Sequence, residues 1–121
     1  MLIDKIRGKD LDEFFQGILT LKTVEECYSF FDDLCTVNEI GTFLQRFKVA
    51  KMLFNNNTYS EIEDETGAST ATISRTKRSL YYGNDSYEVM FGRMKEKMTE
   101  RQFDLLTKLV RFYVRAPMSR L

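Results

Sequence analysis

Apolar residues recur along this chain at intervals of three and four. Leu11, Phe14, Phe15, Ile18 and Leu21 form one run, Val24, Cys27, Tyr28, Phe31 and Leu34 a second, and Ile40, Phe43, Leu44, Phe47, Ala50 and Phe54 a third. A period near 3.6 residues places each run on one side of a helix. No stretch alternates strictly as a half-buried strand would, so the pattern predicts an all-α fold. Capping signals mark where the helices begin. Asp10 with Glu13, Thr23 with Glu26, Thr36 with Glu39, Thr58 with Glu61 and Thr99 with Gln102 each put a capping residue three before an acid or amide that can reach back to it. Together with Ser69 they give six helix starts. The last predicted helix runs from Thr99 to about Val114, with an apolar stripe of Phe103, Leu106, Val110 and Phe112 or Tyr113.

The stripes of the first three helices are broad. Phe14 and Phe15, like Phe30 and Phe31, are adjacent, so each helix carries bulky aromatics on more than one face. One chain of 121 residues has a single domain's worth of core to fill. A second copy supplies the further surface, so the pattern favours a homodimer over a monomer with a large core. The expected layout is one all-helical domain over 1–121, with dimerisation helices in 1–57, a helix-turn-helix in 58–82, and C-terminal helices with a basic tail in 86–121.

The segment TYSEIEDETGASTATISRTKRSL, residues 58–80, carries the functional signal. Thr58 and Glu61 open a short acidic helix, which Gly67 ends because glycine adopts the left-handed conformation of a tight reversal. Ser69 opens a second helix that runs to about Tyr82, where Gly83 and Asn84 stop it. In that helix Ala71, Ile73 and Leu80 can bury, and the rest is polar or basic. Small hydroxyl and methyl groups at its start suit base edges, and cations further along suit phosphates. The predicted DNA-binding residues are therefore Ser60, Ser69, Thr70, Ala71, Thr72, Ser74, Lys77 and Arg78, with base-edge contacts falling to Thr70, Ala71 and Thr72. Glu63 occupies a position where helix-turn-helix units often need a small residue. Most of Glu61, Glu63, Asp64 and Glu65 should face away from a phosphate backbone.

These residues resemble a known family. GASTATISR, followed by Ser79 and Leu80, resembles the turn and recognition helix of the Trp repressor family, and YSEIEDETG resembles that family's preceding helix. LCTVNEIGTFLQRFKVAKML, Leu34 to Leu53, resembles the segment leading into the DNA-reading head, so the likeness spans about residues 24–91. The string SLYYGNDSYE, Ser79 to Glu88, is most similar to the YerC/YecD type of Trp-repressor-like regulators of Gram-positive bacteria. The resemblance implies an all-helical, intertwined homodimer with two DNA-reading heads, acting as a transcriptional repressor on a double-stranded DNA operator. It also implies that Arg46 and Arg75 are the counterparts of the two arginines that grip the tryptophan co-repressor. The family's glycine after the second arginine is Thr76 here, and its branched side chain would fill the slot for the indole ring. Arg46, Arg75, Thr76 and Ser79 are thus a candidate effector site for another anion, or partners for acidic side chains, and tryptophan is not carried over.

Charge modifies the picture through its distribution, since 18 bases and 18 acids cancel. Residues 1–44 hold nine acids and four bases, residues 93–121 hold eight bases and three acids, and the helix after Ser69 has three bases and no acid. Local positive potential suits a DNA face, and an acidic remainder restrains non-specific binding. The basic C-terminal segment either docks on the dimer body or touches phosphates. The chain contains no histidine, which removes the commonest general base and metal ligand. Cys27 and Cys35 fall in apolar helical registers, where they should be buried thiols in a cytoplasmic protein, and form no zinc motif. No cofactor, no catalytic residue and no membrane contact is expected. The alternative to a DNA-binding regulator is a helical protein-interaction module that keeps the helix-turn-helix shape.

Overall fold

The computed structural model describes residues 1–115, with side chains through Arg111. A 3-10 turn, Leu2–Ile6, precedes α1 (Lys9–Ile18), α2 (Val24–Leu34), α3 (Val37–Phe54), α4 (Tyr59–Thr66), α5 (Thr70–Tyr82) and α6 (Ser86–Arg115). No strand occurs among the described residues. The ends Phe112 and Tyr113 of the predicted C-terminal stripe, and the basic residues Arg115 and Arg120, lie outside the described side chains.

Three helices start where their side chains dictate. The amides of Glu26, Glu39 and Glu61 donate to the hydroxyls of Thr23, Thr36 and Thr58 at 3.1, 3.2 and 3.2 Å, and each glutamate accepts from its threonine's backbone in return. Two predicted starts are displaced. Helix α1 begins at Lys9 after Gly8, so Asp10 is a first-turn residue rather than the cap; there its charge still favours the helix N-terminus. The larger correction concerns α6, which starts at Ser86 and runs through Thr99 without a break. The Thr99 hydroxyl donates to the Lys95 carbonyl at 3.1 Å, a back-bond that satisfies it inside a continuous helix. The chain turns earlier, at Asp85, which takes φ 60 and accepts from the Val89 amide.

The core is a small nucleus built from α3 to α6. Val49, Ala50 and Leu53 of α3, Ile62 of α4, Ala68 of the turn, Ile73 and Leu80 of α5 and Phe91 of α6 are buried. Phe91 meets Phe47, Phe54 and Tyr87 at ring-centroid distances of 5.5, 5.2 and 5.9 Å, which ties α6 to α3. By contrast, α1 and α2 contain no buried residue. Their rings meet each other, Phe14 to Phe30 at 6.5 Å, yet Phe15, Leu19, Val24, Tyr28 and Leu34 stay exposed. Cys27, expected to be buried, is exposed, and Cys35 is only partly covered, because none of the described residues packs over that side of α2 and its end.

Candidate nucleic-acid interface

The helix-turn-helix is α4 and α5 joined by Gly67, Ala68 and Ser69. Gly67 takes φ 68, and its amide donates to the Glu63 carbonyl at 2.9 Å to close α4. Ser69 then accepts from the Thr72 amide at 3.2 Å to open α5. Ile62, Ala68, Ile73 and Leu80 pack with Val49 and Leu53, so a clean apolar wedge fixes both helices on α3. The Gln45 side chain adds a polar tie, donating to the Thr66 carbonyl at 3.2 Å.

With Ile73, Thr76 and Leu80 turned inward, the helical period leaves α5 two further faces. The outer face carries Thr70, Ala71, Ser74, Lys77 and Arg78, all exposed, with Ser60 and Ser69 exposed nearby. Lys77 sits 5.6 Å from the centre of the Tyr59 ring, and the Tyr59 hydroxyl lies 3.4 Å from Ser74 Oγ. These contacts steady a cation and a hydroxyl on the surface without using up their charge or reach. Thr72 is placed differently from the other proposed base readers. It is half-buried, its hydroxyl 3.0 Å from Ser69 Oγ, on the side of α5 that faces α3.

Glu63 also departs from expectation. A small residue is not needed at its position, because the side chain stays exposed and crosses the turn to accept from the Thr70 hydroxyl at 2.5 Å. It therefore points toward the N-terminal end of α5, where the base-edge contacts were expected, rather than away from it. Glu61 is held by the Asn57 side chain and by the hydroxyl and amide of Thr58, and these hydrogen bonds keep its carboxyl below the ordinary glutamate range.

The second polar side of α5 meets α3 in a cleft of about 410 Å³. Arg46, Arg75, Thr76 and Ser79, the four residues singled out as an effector site, all line it. Thr42 and Gln45 of α3, Thr72 of α5 and Tyr87 of α6 complete the wall, and sequence reasoning missed these as a set. A signal was present. Thr42, Gln45 and Arg46, and again Thr72, Arg75, Thr76 and Ser79, repeat at helical spacing, which makes a polar stripe on each of two facing helices. No carboxylate lines the cleft, and no ion pair engages Arg46 or Arg75 among the described residues, so they are not tied to acidic side chains. Thr76 is buried, with its hydroxyl donated to the Thr72 carbonyl at 2.9 Å, and it occupies volume that a glycine would leave open.

Residues 9–95 match the model of the Trp repressor protein family. The chain belongs to the Trp repressor family. It is 64% identical over 100 residues to the Bacillus subtilis (strain 168) protein described as uncharacterized protein YerC, a match that covers 83% of this chain and 96% of that protein. A solved Trp-repressor-like structure from Staphylococcus aureus is 61% identical with a TM-score of 0.76, covering 78% of this chain and 95% of its own. A TrpR-like protein from Eubacterium eligens ATCC 27750 is 52% identical with a TM-score of 0.73, covering 76% and 95%. The Trp-repressor-like helical fold predicted from the sequence is thus the fold of its solved relatives. Among the described residues no helix is long and apolar enough to cross a membrane.

Proposed function

We propose that this chain is a homodimeric, sequence-specific DNA-binding transcriptional regulator, acting as a repressor, that lays α5 in the major groove. The observation that carries the reading is the outer face of α5. A helix rigidly wedged by Ile62, Ile73 and Leu80 presents Ala71, Ser74, Lys77 and Arg78 to solvent, with three bases and no acid along its length. Ala71 and Thr70 stand nearest the helix start and suit base edges, and Ser60, Ser69, Ser74, Lys77 and Arg78 suit phosphates. Thr72 contributes from the cleft side.

Surface area supports the second copy. The chain exposes 10803 Å². A compact monomer of its mass would expose about 6,800 Å², and an excess of about 4,000 Å² on one chain is ample for its half of a large obligate interface. The aromatic faces of α1 to α3 supply the apolar surface for it. Two heads related by a two-fold axis fit operator half-sites about one helical turn apart. The cleft between α3 and α5 fits a small anion, because it offers two guanidinium groups that form no ion pair among the described residues, together with hydroxyls and an amide and no carboxylate in its lining. An anion there would bridge the reading helix to the dimerisation helices.

Selection of bound sequences from a random DNA pool, with and without candidate amino acids, tests the reading. An enriched palindrome bound by a dimer supports it. Retention of DNA at neither low salt nor about 0.3 M overturns it in favour of a protein-binding module, because phosphate contacts are strongest at low salt.

A further inference from the structure

The apolar stripe of α6 does not stop where the family match stops, at residue 95. Tyr87 and Phe91 begin it inside the core. Met94, Met98, Leu105 and Leu109 continue it along the same side at helical spacing, yet they are 45, 60, 62 and 52% exposed. α6 packs on α3 and α5 of its own chain. The segment from 96 to 115 spans about 30 Å at 1.5 Å per residue. Lys97, Arg101 and Lys108 run along one edge of this stripe, three bases with the single acid Asp104 beside them.

The cover for such a stripe must be apolar, and acidic at its margin. Residues 9–34, spanning α1 and α2, meet both conditions, with exposed aromatic and aliphatic side chains and seven acids against two bases. Two copies of α6 packed antiparallel about a two-fold axis would instead set basic edge against basic edge. Resting on the homodimer proposed above, we infer that the α6 extension is a dimer clasp that lies across α1 and α2 of the second copy. Its apolar stripe covers that pair's exposed rings, and its basic edge meets their acids.

Zero-length carbodiimide coupling of equal amounts of isotope-labelled and unlabelled full-length chains, mapped by mass spectrometry, reads the contact directly. The clasp predicts cross-links of mixed isotope between Lys97 or Lys108 and acids within residues 10–33. It also predicts that a chain ended after Lys95 dissociates at roughly 100-fold or more higher concentration in sedimentation experiments, because Met98, Leu105 and Leu109 are removed from the contact. Arg101→Glu with Lys108→Glu in the full-length chain should weaken the dimer in the same direction while leaving helical content unchanged. A full-length dimer with no such cross-links, or a shortened dimer of equal affinity, overturns the clasp and leaves the dimer standing. A full-length chain that stays monomeric at tens of micromolar overturns the dimer itself. Unchanged dimerisation together with weaker DNA binding and a shallower salt dependence would make the segment a phosphate-contacting arm instead, and the clasp fails.

Discussion

Two glycines bracket α5, and substituting each should fail for a different reason. Gly67 has φ 68 and ψ 8, while a Cβ built on it meets nothing within 4 Å. The cost of Gly67→Ala is therefore conformational alone. Left-handed backbone costs an L-residue about 1–2 kcal/mol, and alanine's lower freedom in the unfolded chain offsets about 0.4–1 of it. The net loss should be about 1 kcal/mol. Asparagine visits this region more readily, so Gly67→Asn should cost about half as much. Gly83 has φ −91 and ψ −141, with no left-handed φ, but a Cβ there would sit on the Ser79 carbonyl oxygen. That oxygen is backbone and cannot swing aside, so the end of α5 must reshape. Gly83→Ala should cost about 2–3 kcal/mol, in the range of a strained backbone site, and asparagine should bring no relief. Urea melts followed by circular dichroism, at one fixed protein concentration because dimers gain stability by mass action, give the four values. If Gly67→Ala costs as much as Gly83→Ala, or if asparagine helps at Gly83 rather than at Gly67, the reasoning is refuted.

Glu63→Gln removes a carboxylate beside the reading end of α5 and loosens Thr70, so operator affinity in fluorescence anisotropy should rise roughly 3- to 10-fold at low salt; no change would mean that end does not approach DNA. Lys77→Ala should weaken binding to cognate and scrambled DNA alike and lower the salt-dependence slope by about 1, whereas a loss confined to the cognate site would make Lys77 a base reader. The Glu61 carboxyl is held below the ordinary range first by Asn57 and then by Thr58. Its stabilising effect is thus complete above the ordinary glutamate range and disappears as pH falls through the lowered native value, so the wild-type thermal midpoint should drop more steeply on acidification than that of Glu61→Gln. Thr76→Gly should cost about 0.3 kcal/mol in helix propensity and about 0.8 for the lost buried methyl, and open the cleft, so that calorimetry detects tryptophan binding to the variant more strongly than to the parent chain.

What could be read from the sequence divides by the range of the interactions involved. The boxes at Thr23, Thr36 and Thr58 were legible because a cap is a contract between residues three apart, and nothing distant competes with it. The same signal misled at Thr99. There the hydroxyl had another local partner, the Lys95 carbonyl, and the uninterrupted helix from Ser86 decided which bond formed. The true start of α6 is not among the six expected, although Asp85 with Glu88 spells the same capping signature; Asp85 takes φ 60 instead of the extended conformation of the threonine caps. The contact between Glu63 and Thr70 needed the crossing geometry of the turn, which composition alone does not fix.

The cleft illustrates the same division within one site. Arg46 and Arg75 were reached through resemblance, and the stripes Thr42–Gln45–Arg46 and Thr72–Arg75–Thr76–Ser79 were countable from helical spacing. That the two stripes face each other follows only from the packing of α3 on α5, and Tyr87 joins them because the Phe91 cluster pulls α6 alongside. The breadth of the apolar stripes on α1 and α2 has a corresponding consequence. In one chain they leave Phe15, Val24 and Tyr28 exposed, while the part of the fold that closes on itself is the head around Ile62 and Ile73. The helix-turn-helix thus holds its shape on local contacts, whereas α1 and α2 leave their apolar faces open, as the proposed dimer requires. Substitutions in the two parts should separate accordingly. Changes such as Ile73→Val should shift stability by about 0.5–1.5 kcal/mol independently of protein concentration, whereas Phe15→Ala should make the melting midpoint fall more steeply on dilution.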